Sequence, residues 1–230
     1  MKIQTSQDLS SIFRYERKFL ISELSKKNVD MLVKLHPYLF YEVFSRRQVN
    51  NVYFDTFNLQ NYYDNVEGSS DRVKVRIRWY GNLFGHIEKP ILEIKIKTGL
   101  LGTKKLVKLD PFNFSAQTNM SNILKGISDN NIIQNFNLLS LKPTLLNRYL
   151  RNYYLSADGN YRITIDEKQS FYKIQDYSNS FLNRVDDNKS VILELKYNKE
   201  FDSEVGNITS RFPFRLSKNS KYANGIQGIM

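Results

Sequence analysis

The sequence predicts an α+β fold in which antiparallel strands close into a barrel, with charged side chains in the lumen and flanking helices outside. Charged and apolar residues alternate most clearly in DRVKVRIRWYG (71–81), where Arg72, Lys74, Arg76 and Arg78 share one face. Successive side chains of a strand point to opposite faces, so this segment is a strand with one cationic and one apolar face. The same arrangement recurs in five separated segments, and this recurrence favours the closed barrel.

An open sheet with one solvated face is the alternative. For a single strand this explanation is the simpler one, because charged side chains on an outward face are ordinary. An open sheet would scatter its outward charges, whereas ERK, EIKIK and ELK each place Glu two residues before Lys. Cations enclosed in a lumen require anionic partners, which these glutamates and an anionic ligand would supply.

The first half of the chain alternates strands with short helices. FRYERKFLI (13–21) is predicted as a strand with Arg14, Glu16 and Lys18 on one face. A helix should begin near Ser22 and end before Pro37. RQVNNVYFDT (47–56) is a second strand, and a polar connection or short helix then leads to the strand at 71–81.

The second half is predicted to be mostly strand. ILEIKIKTG (91–99) should pair with TKKLVKL (103–109) in a hairpin after GLLG, and residues 115–140 should be helical until Pro143. Three further strands follow in RYLRNYYLS, YRITIDEKQSFY and SVILELKYN, and the tail FRLSKNSKYANGI is a short helix or turn. A helical tail would place Lys218 and Lys221 on one face. Because no repeat, low-complexity tract or linker divides the chain, residues 1–230 are predicted to form a single domain.

Composition narrows the class of partner. The 34 Lys and Arg against 23 Asp and Glu give a net charge of +11, which favours polyanionic ligands. The chain contains no cysteine, and this excludes disulfides and thiolate chemistry. The polar start MKIQTSQDLSS lacks the apolar run of a signal peptide, and no stretch reaches the roughly 20 apolar residues of a transmembrane helix. A cytoplasmic, soluble protein is therefore expected.

The ordered set YERKFLI, YFDT, RVKVRIRWY, LEIKIK, YRITID, LELKY and SKY resembles the VTC domain, the polyphosphate polymerase domain of vacuolar transporter chaperone proteins and its bacterial relatives. That domain belongs to the triphosphate tunnel metalloenzymes, which include the CYTH-type phosphatases. The resemblance runs from about residue 12 to 226. It implies a closed eight-stranded antiparallel β-barrel tunnel that binds a triphosphate-like chain together with Mn²⁺ or Mg²⁺.

The resemblance also implies the site residues. The family's phosphate-binding basic residues fall on Lys18, Arg76, Arg78, Lys95, Arg162, Lys218 and Lys221. The metal-binding carboxylate falls on Glu194, and the lysine of the returning hairpin strand is either Lys105 or Lys108. Glu16, Glu93 and Asp166 are either further metal ligands or ion-pair partners of neighbouring cations. Tyr149, Tyr153 and Tyr222 are expected in the core or the tunnel wall.

One departure separates this chain from the CYTH-type members. They carry Glu-x-Glu-x-Lys on the first strand, whereas here Arg14 stands in place of the first glutamate and leaves Glu16 and Lys18. The departure favours the VTC branch and weakens a thiamine-triphosphatase or adenylate-cyclase function.

The resulting prediction is a metal-dependent polymerase that moves the γ-phosphate of ATP onto a polyphosphate chain and releases ADP. Hydrolysis of tripolyphosphate or nucleoside triphosphate, and a non-catalytic module that binds polyphosphate or inositol phosphates, remain the alternatives. A nucleic-acid binder would need exposed cations interleaved with stacking aromatics. It is disfavoured because Arg76 and Arg78 lie on the family's tunnel strand, so no nucleic-acid partner is expected.

Overall fold

The computed structural model describes residues 14–99, 101–127, 129–177 and 179–230. Eleven strands are found there: β1 Arg14–Ile21, β2 Tyr41–Asp55, β3 Asp71–Tyr80, β4 Gly85–Ile87, β5 Ile91–Thr98, β6 Leu101–Lys108, β7 Phe112–Phe114, β8 Lys142–Leu155, β9 Tyr161–Lys173, β10 Arg184–Asp187 and β11 Val191–Asn198. The α-helices of the same ranges are α1 Lys26–Lys34, α2 Gln60–Glu67, α3 Met120–Lys125, α4 Asn130–Asn135, α5 Val205–Thr209 and α6 Lys221–Ile229.

One large antiparallel sheet organises the molecule. Its strands follow the order β1, β11, β9, β8, β2, β3, β5 and β6, and β10 joins β9 at the side. The sheet curves strongly, and this brings its two ends close together. Lys95 Nζ on β5 lies 2.8 Å from Glu16 Oε1 on β1, the strand at the other end. A second, small ladder pairs β4 with β7.

The closed eight-stranded barrel predicted from the sequence is wrong. In the described part of the chain no ladder joins β1 to β6, so these two strands remain edges and only side chains bridge them. Alternation at period 2 assigns the face of each residue, but closure also requires a matched strand tilt and stagger around the whole sheet. Charged side chains along both edges are a common protection of an unpaired strand.

The predicted apolar faces form the core outside the curved sheet. On β3, Val75, Ile77 and Trp79 are buried, while Arg76 and Arg78 lie on the opposite, concave face. Helix α3 packs against this part of the outer face, and α1 and α5 pack against the outer faces of β1, β9 and β11. The helices thus cover apolar side chains and leave the concave face to charged ones.

Helix α6 lies on the concave side and covers one end of it. A Cβ at Gly225 would lie 2.5 Å from side-chain atoms of Leu145 and Phe171, so only glycine permits this close approach. Tyr222 stacks on Tyr53 with ring centroids 5.0 Å apart. The Tyr222 hydroxyl donates a hydrogen bond to Asp55.

Two predicted helices differ from the structure. Helix α6 begins at Lys221 after the N-cap Ser220, so Lys218 precedes it and the expected shared helix face of the two lysines is wrong. Residues 115–140 are predicted to be helical, but α3 and α4 cover only 120–125 and 130–135 of the described part of this segment. No helix among the described residues is both long enough and apolar enough to cross a membrane. The single-domain assignment of residues 1–230 stays a prediction.

Candidate functional site

The concave face carries two groups of charged residues that differ in how they are paired. The first group, the paired floor, consists of Arg76, Arg78, Glu93, Arg151, Asp166 and Lys221. The second group, the lysine cluster, consists of Lys18, Arg72, Lys74, Lys95 and Lys97. Glu194 lies between Lys18 of the lysine cluster and Arg151 of the paired floor.

Asp166 anchors one half of the paired floor. The carboxylate is fully buried and accepts two hydrogen bonds from Arg151, 2.5 Å from Nε and 2.6 Å from Nη2. Lys221 Nζ approaches Asp166 Oδ2 at 2.6 Å from the start of α6. Burial alone would raise the pKa of Asp166, but Arg151 and Lys221 outweigh it and lower the pKa to about 2. Asp166 therefore stays ionised and ties α6 to β8 and β9.

Glu93 anchors the other half. Its carboxylate lies 2.6 Å from Arg76 Nη2 and 3.3 Å from Arg78 Nη1, so one anion orients two guanidinium groups. Arg76 also donates to the Tyr53 hydroxyl at 3.0 Å, and Arg78 to Asn51 Oδ1 at 2.8 Å. Burial opposes the charge of Glu93, yet the two arginines hold the pKa of Glu93 far below its ordinary value. Each guanidinium is thereby fixed in orientation, as bidentate binding of phosphate oxygens requires.

Three cations surround Glu194. Lys196 Nζ lies 3.4 Å from the carboxylate, Lys18 Nζ 3.7 Å and Arg151 Nη2 3.9 Å. Burial would raise the pKa of Glu194, but these cations lower it well below the usual range. Glu16 contacts the same Lys18 at 3.8 Å, so two carboxylates flank one ammonium group.

These carboxylates suit only one kind of metal site. Within the described ranges no three Asp, Glu or His side chains converge, and this excludes an all-protein cage there. Mg²⁺ in phosphate-binding sites commonly uses one or two carboxylates and completes its coordination with phosphate oxygens and water. Glu194 and Glu16 provide that number, so the residues fit a divalent ion that binds together with the phosphate chain.

The lysine cluster has an excess of positive charge. Lys74 and Lys95 lie directly opposite each other on β3 and β5, a like-charge pairing that disfavours the sheet. Glu16 pairs with Lys95 at 2.8 Å, whereas among the described residues Lys74 forms no ion pair and donates to Ser220 Oγ at 2.9 Å. Burial and the nearby cations, Lys18 first and then Lys95, Arg72 and Arg76, lower the pKa of Lys74 to about 7. Lys74 is therefore the member of the cluster that an anionic ligand would neutralise.

Lys18 lies within the curve of the sheet but remains partly accessible to solvent. The curved sheet surrounds this residue, yet water reaches 29% of its side-chain surface. Burial acts to lower the pKa of Lys18, but Glu194 and Glu16 raise it above the ordinary value. The ionised ammonium group is therefore only partly exposed, and its attraction for an anion exceeds that of a fully exposed lysine.

The remaining predicted residues lie in different places. Lys108 shares the concave face with its neighbours, whereas Lys105 points to the other face, 5.3 Å from the centre of the Phe136 ring. Arg162 lies on the same face of β9 as Asp166 but is exposed. Lys218 is also exposed and precedes α6. The roles of all these residues stay predictions.

Six of the cations described above on this face were not predicted as site residues from the sequence: Arg72, Lys74, Lys97, Lys104, Arg151 and Lys196. Lys104 could have been found from the hairpin, because the register that pairs Thr98 with Leu101 also pairs Lys95 with Lys104. Arg151 lies two positions from both Tyr149 and Tyr153, which are predicted to lie in the core or the tunnel wall. The same period therefore pointed to its face.

Comparisons with known proteins identify a family from the sequence and similar folds among solved structures. The family model of the VTC domain matches residues 13–230. A candidate adenylate cyclase from Vibrio parahaemolyticus superposes with a TM-score of 0.54 at 9% identity, over 93% of this chain and 97% of that one. A candidate adenylyl cyclase from Hippeastrum, described as having a dominant triphosphatase activity, gives 0.51 at 14% identity over 95% and 96%. No curated protein matches the sequence. At these identities the solved structures are similar in fold alone.

Proposed function

The chain belongs to the VTC domain family, and from this premise we propose that it is a metal-dependent polyphosphate polymerase that uses ATP. The observation that carries the proposal is the lysine cluster, in which Lys74 and Lys95 face each other and Lys74 forms no ion pair among the described residues. A condensed phosphate chain supplies closely spaced negative charges that would neutralise such a cluster. ATP and inorganic polyphosphate are the proposed ligands.

In the proposed reaction a terminal oxygen of the polyphosphate chain attacks the γ-phosphorus of ATP. A new phosphorus–oxygen bond forms, the bond to the bridging β,γ oxygen breaks, and ADP leaves with that oxygen. Phosphoryl transfer spreads charge over the equatorial oxygens, so catalysis is mainly positioning and electrostatic stabilisation. Arg76 and Arg78, which Glu93 already orients, would bind these oxygens without a large rearrangement.

A divalent ion bound with the phosphates would neutralise charge and orient the transferred group. Glu194 is the proposed ligand from the protein, with Glu16 as the second carboxylate within reach of Lys18. In the free protein Lys18 and Lys196 compensate the charge of Glu194. When the phosphates arrive, these lysines are free to turn from the carboxylate to phosphate oxygens.

Hydrolysis of triphosphates is the second candidate, and helix α6 favours it. Because α6 packs on Leu145 and Phe171, it covers one end of the concave face. A growing polymer then has to leave by the other end or between β1 and β6, whereas a short triphosphate needs a single opening. The triphosphatase activity described for the Hippeastrum protein is compatible with this candidate.

Product analysis separates these functions. Purified protein is incubated with ATP and Mn²⁺, with and without a short polyphosphate primer, and polyphosphate, ADP and free phosphate are measured. Polyphosphate that accumulates with equal ADP supports the polymerase. Free phosphate without polymer supports the hydrolase. Binding of tripolyphosphate without either product would leave a binding module and contradict both enzymatic functions.

Glu194→Gln tests the proposed metal ligand. The substitution removes the charge but keeps the shape, so we expect metal-dependent turnover to fall by about 100-fold or more, beyond the range typical of residues around a metal's own ligands. Tripolyphosphate binding measured without metal should be retained, because the arginines and lysines remain. The control is Glu23→Gln, which neutralises an exposed carboxylate of the segment before α1. Unchanged turnover at limiting Mn²⁺ would contradict the role.

A further inference from the structure

Three aromatic rings surround one arginine at the end of the concave face opposite α6. The guanidinium carbon of Arg47 lies 4.4 Å from the ring centre of Phe44, 5.5 Å from that of Tyr153 and 5.6 Å from that of Tyr80. Phe44 and Tyr153 also meet edge to face, with centroids 5.7 Å apart. These four residues are called the Arg47 cage below.

Strand register connects the cage to the paired floor. Tyr80 follows Arg78 by two positions on β3 and therefore lies on the same face. Arg47 on β2 lies opposite Arg151 on β8. The Arg151 guanidinium is itself 5.9 Å from the Tyr153 ring. A continuous row of cationic and aromatic groups thus runs from Asp166 to the cage.

The composition of the cage is unusual for a structural cluster. Phe44 is 50% exposed and Tyr80 is 44% exposed, so two rings present apolar area to solvent beside a charged face. Within the described ranges Arg47 forms no ion pair with a carboxylate. Planar guanidinium and aromatic groups stack on flat heteroaromatic rings, and such stacking needs no hydrogen-bond donor or acceptor of a particular base.

We propose that the Arg47 cage binds the base of a nucleotide whose phosphates lie on the paired floor and the lysine cluster. The proposal rests on the proposed function, because it takes the concave face as the phosphate site. It assigns the bound nucleotide a direction, with the base at the open end and the terminal phosphate toward α6. Recognition by stacking alone predicts that ATP and GTP bind with similar affinity.

The test compares a nucleotide with a ligand that lacks a base. Dissociation constants for ATP, GTP and tripolyphosphate are measured by calorimetry for the unmodified protein and for Phe44→Ala. We expect ATP and GTP to bind about tenfold more weakly to the variant, which corresponds to about 1.4 kcal/mol, while tripolyphosphate is unaffected. Phe57→Ala is the matched control, because Phe57 is 91% exposed and lies outside the cage.

Arg47→Lys provides a second variant that keeps the charge but removes the planar group. It should weaken ATP as Phe44→Ala does and leave tripolyphosphate unchanged, and circular dichroism checks that both variants are folded. An equal loss for ATP and tripolyphosphate, or no loss for either, would overturn the base site. If the unmodified protein binds tripolyphosphate but neither substitution weakens ATP more than it weakens tripolyphosphate, only this inference fails. If the unmodified protein binds none of the three ligands, the proposed function fails with it.

Discussion

The paired floor and the lysine cluster lie on the same concave face and use the same kinds of side chain. They differ in whether carboxylates of the protein neutralise their cations. In the paired floor, each arginine has a carboxylate within 3.3 Å, and Asp166 and Glu93 each bind two cations. In the lysine cluster, Lys74 faces Lys95, and Glu16 is paired with Lys95 alone of the two. Carboxylates of the protein thus pair with every cation of the paired floor, whereas Lys74 of the lysine cluster has no carboxylate partner among the described residues.

This difference separates structural charge from binding charge. Paired guanidinium groups are held in one orientation before any ligand arrives, so little reorganisation is needed on binding. A cluster of like charges instead destabilises the free protein, and the strain is relieved when an anion binds. The lowered pKa of Lys74, about 7, reflects this repulsion together with burial. Substitutions in the two groups should therefore change stability in opposite directions.

The largest effect is expected from Asp166→Asn in the paired floor. The change leaves Arg151 and Lys221 without their buried anion, and breaking a buried pair in this way typically destabilises by about 3–5 kcal/mol. Urea unfolding measures the difference. Asp186→Asn is the control, because it removes the partner of an exposed pair with Arg184 and should have no measurable effect.

The acid side of the same measurement tests the pKa. Because the folded-state pKa of Asp166, about 2, lies below that of the unfolded chain, its contribution is fully present above about pH 4 and is lost as pH falls toward 2. Asp166→Asn should remove that part of the acid dependence. An unaltered acid transition in the variant would show that Asp166 is not held ionised by Arg151 and Lys221.

Lys74 should give the next largest effect, on ligand binding. Below pH 7 the side chain is charged, and above pH 7 it has to take up a proton to bind an anion, which lowers the affinity about tenfold per pH unit at most. Lys74→Arg stays charged throughout. It should bind tripolyphosphate as the unmodified protein does at pH 6 and about tenfold more tightly at pH 8. The quantity to compare is the ratio of the dissociation constants of the two proteins at each pH, because protonation of the ligand affects both equally. A ratio that is the same at pH 6 and pH 8 would contradict the prediction.

Stability gives the opposite sign for the same residue. The folded-state pKa of Lys74 lies below the unfolded value near 10.5, so charging it costs stability as pH falls from there toward 7. Lys74→Met should therefore raise the thermal midpoint at pH 6 while weakening tripolyphosphate. Asp166→Asn is expected to lower stability and Lys74→Met to raise it, so the two effects differ in sign. A variant less stable than the unmodified protein would show that the Ser220 contact outweighs the repulsion.

The smallest effect compares two adjacent lysines. Lys104 lies on the concave face opposite Lys95, and Lys105 lies on the other face against Phe136. Lys104→Ala should weaken tripolyphosphate about fivefold, equivalent to about 1 kcal/mol for a partly screened charge. Lys105→Ala should leave the affinity unchanged. Equal losses for both variants would indicate a general effect of net charge and would contradict a specific role for Lys104 on the concave face.

Local patterns predicted the faces of the strands but not the partners of the charges. The alternation in β3 correctly separated Arg76 and Arg78 from Ile77 and Trp79. It could not place Lys105 and Lys108, which have opposite parity, until the register of the hairpin was known. It also gave no sign that Lys221 would reach Asp166 across the concave face, because these residues are far apart in the chain.

The sequence by itself determined which side chains share a face, because alternation follows from the geometry of a single strand and needs no neighbour. It also determined the family, through motifs whose order spans nearly the whole chain. The tertiary structure decided that β1 and β6 remain unpaired edges, that α6 covers one end of the concave face, and that Lys74 lacks the carboxylate given to Lys95. Each of these depends on register and curvature summed over many strands, and a local pattern does not encode that sum.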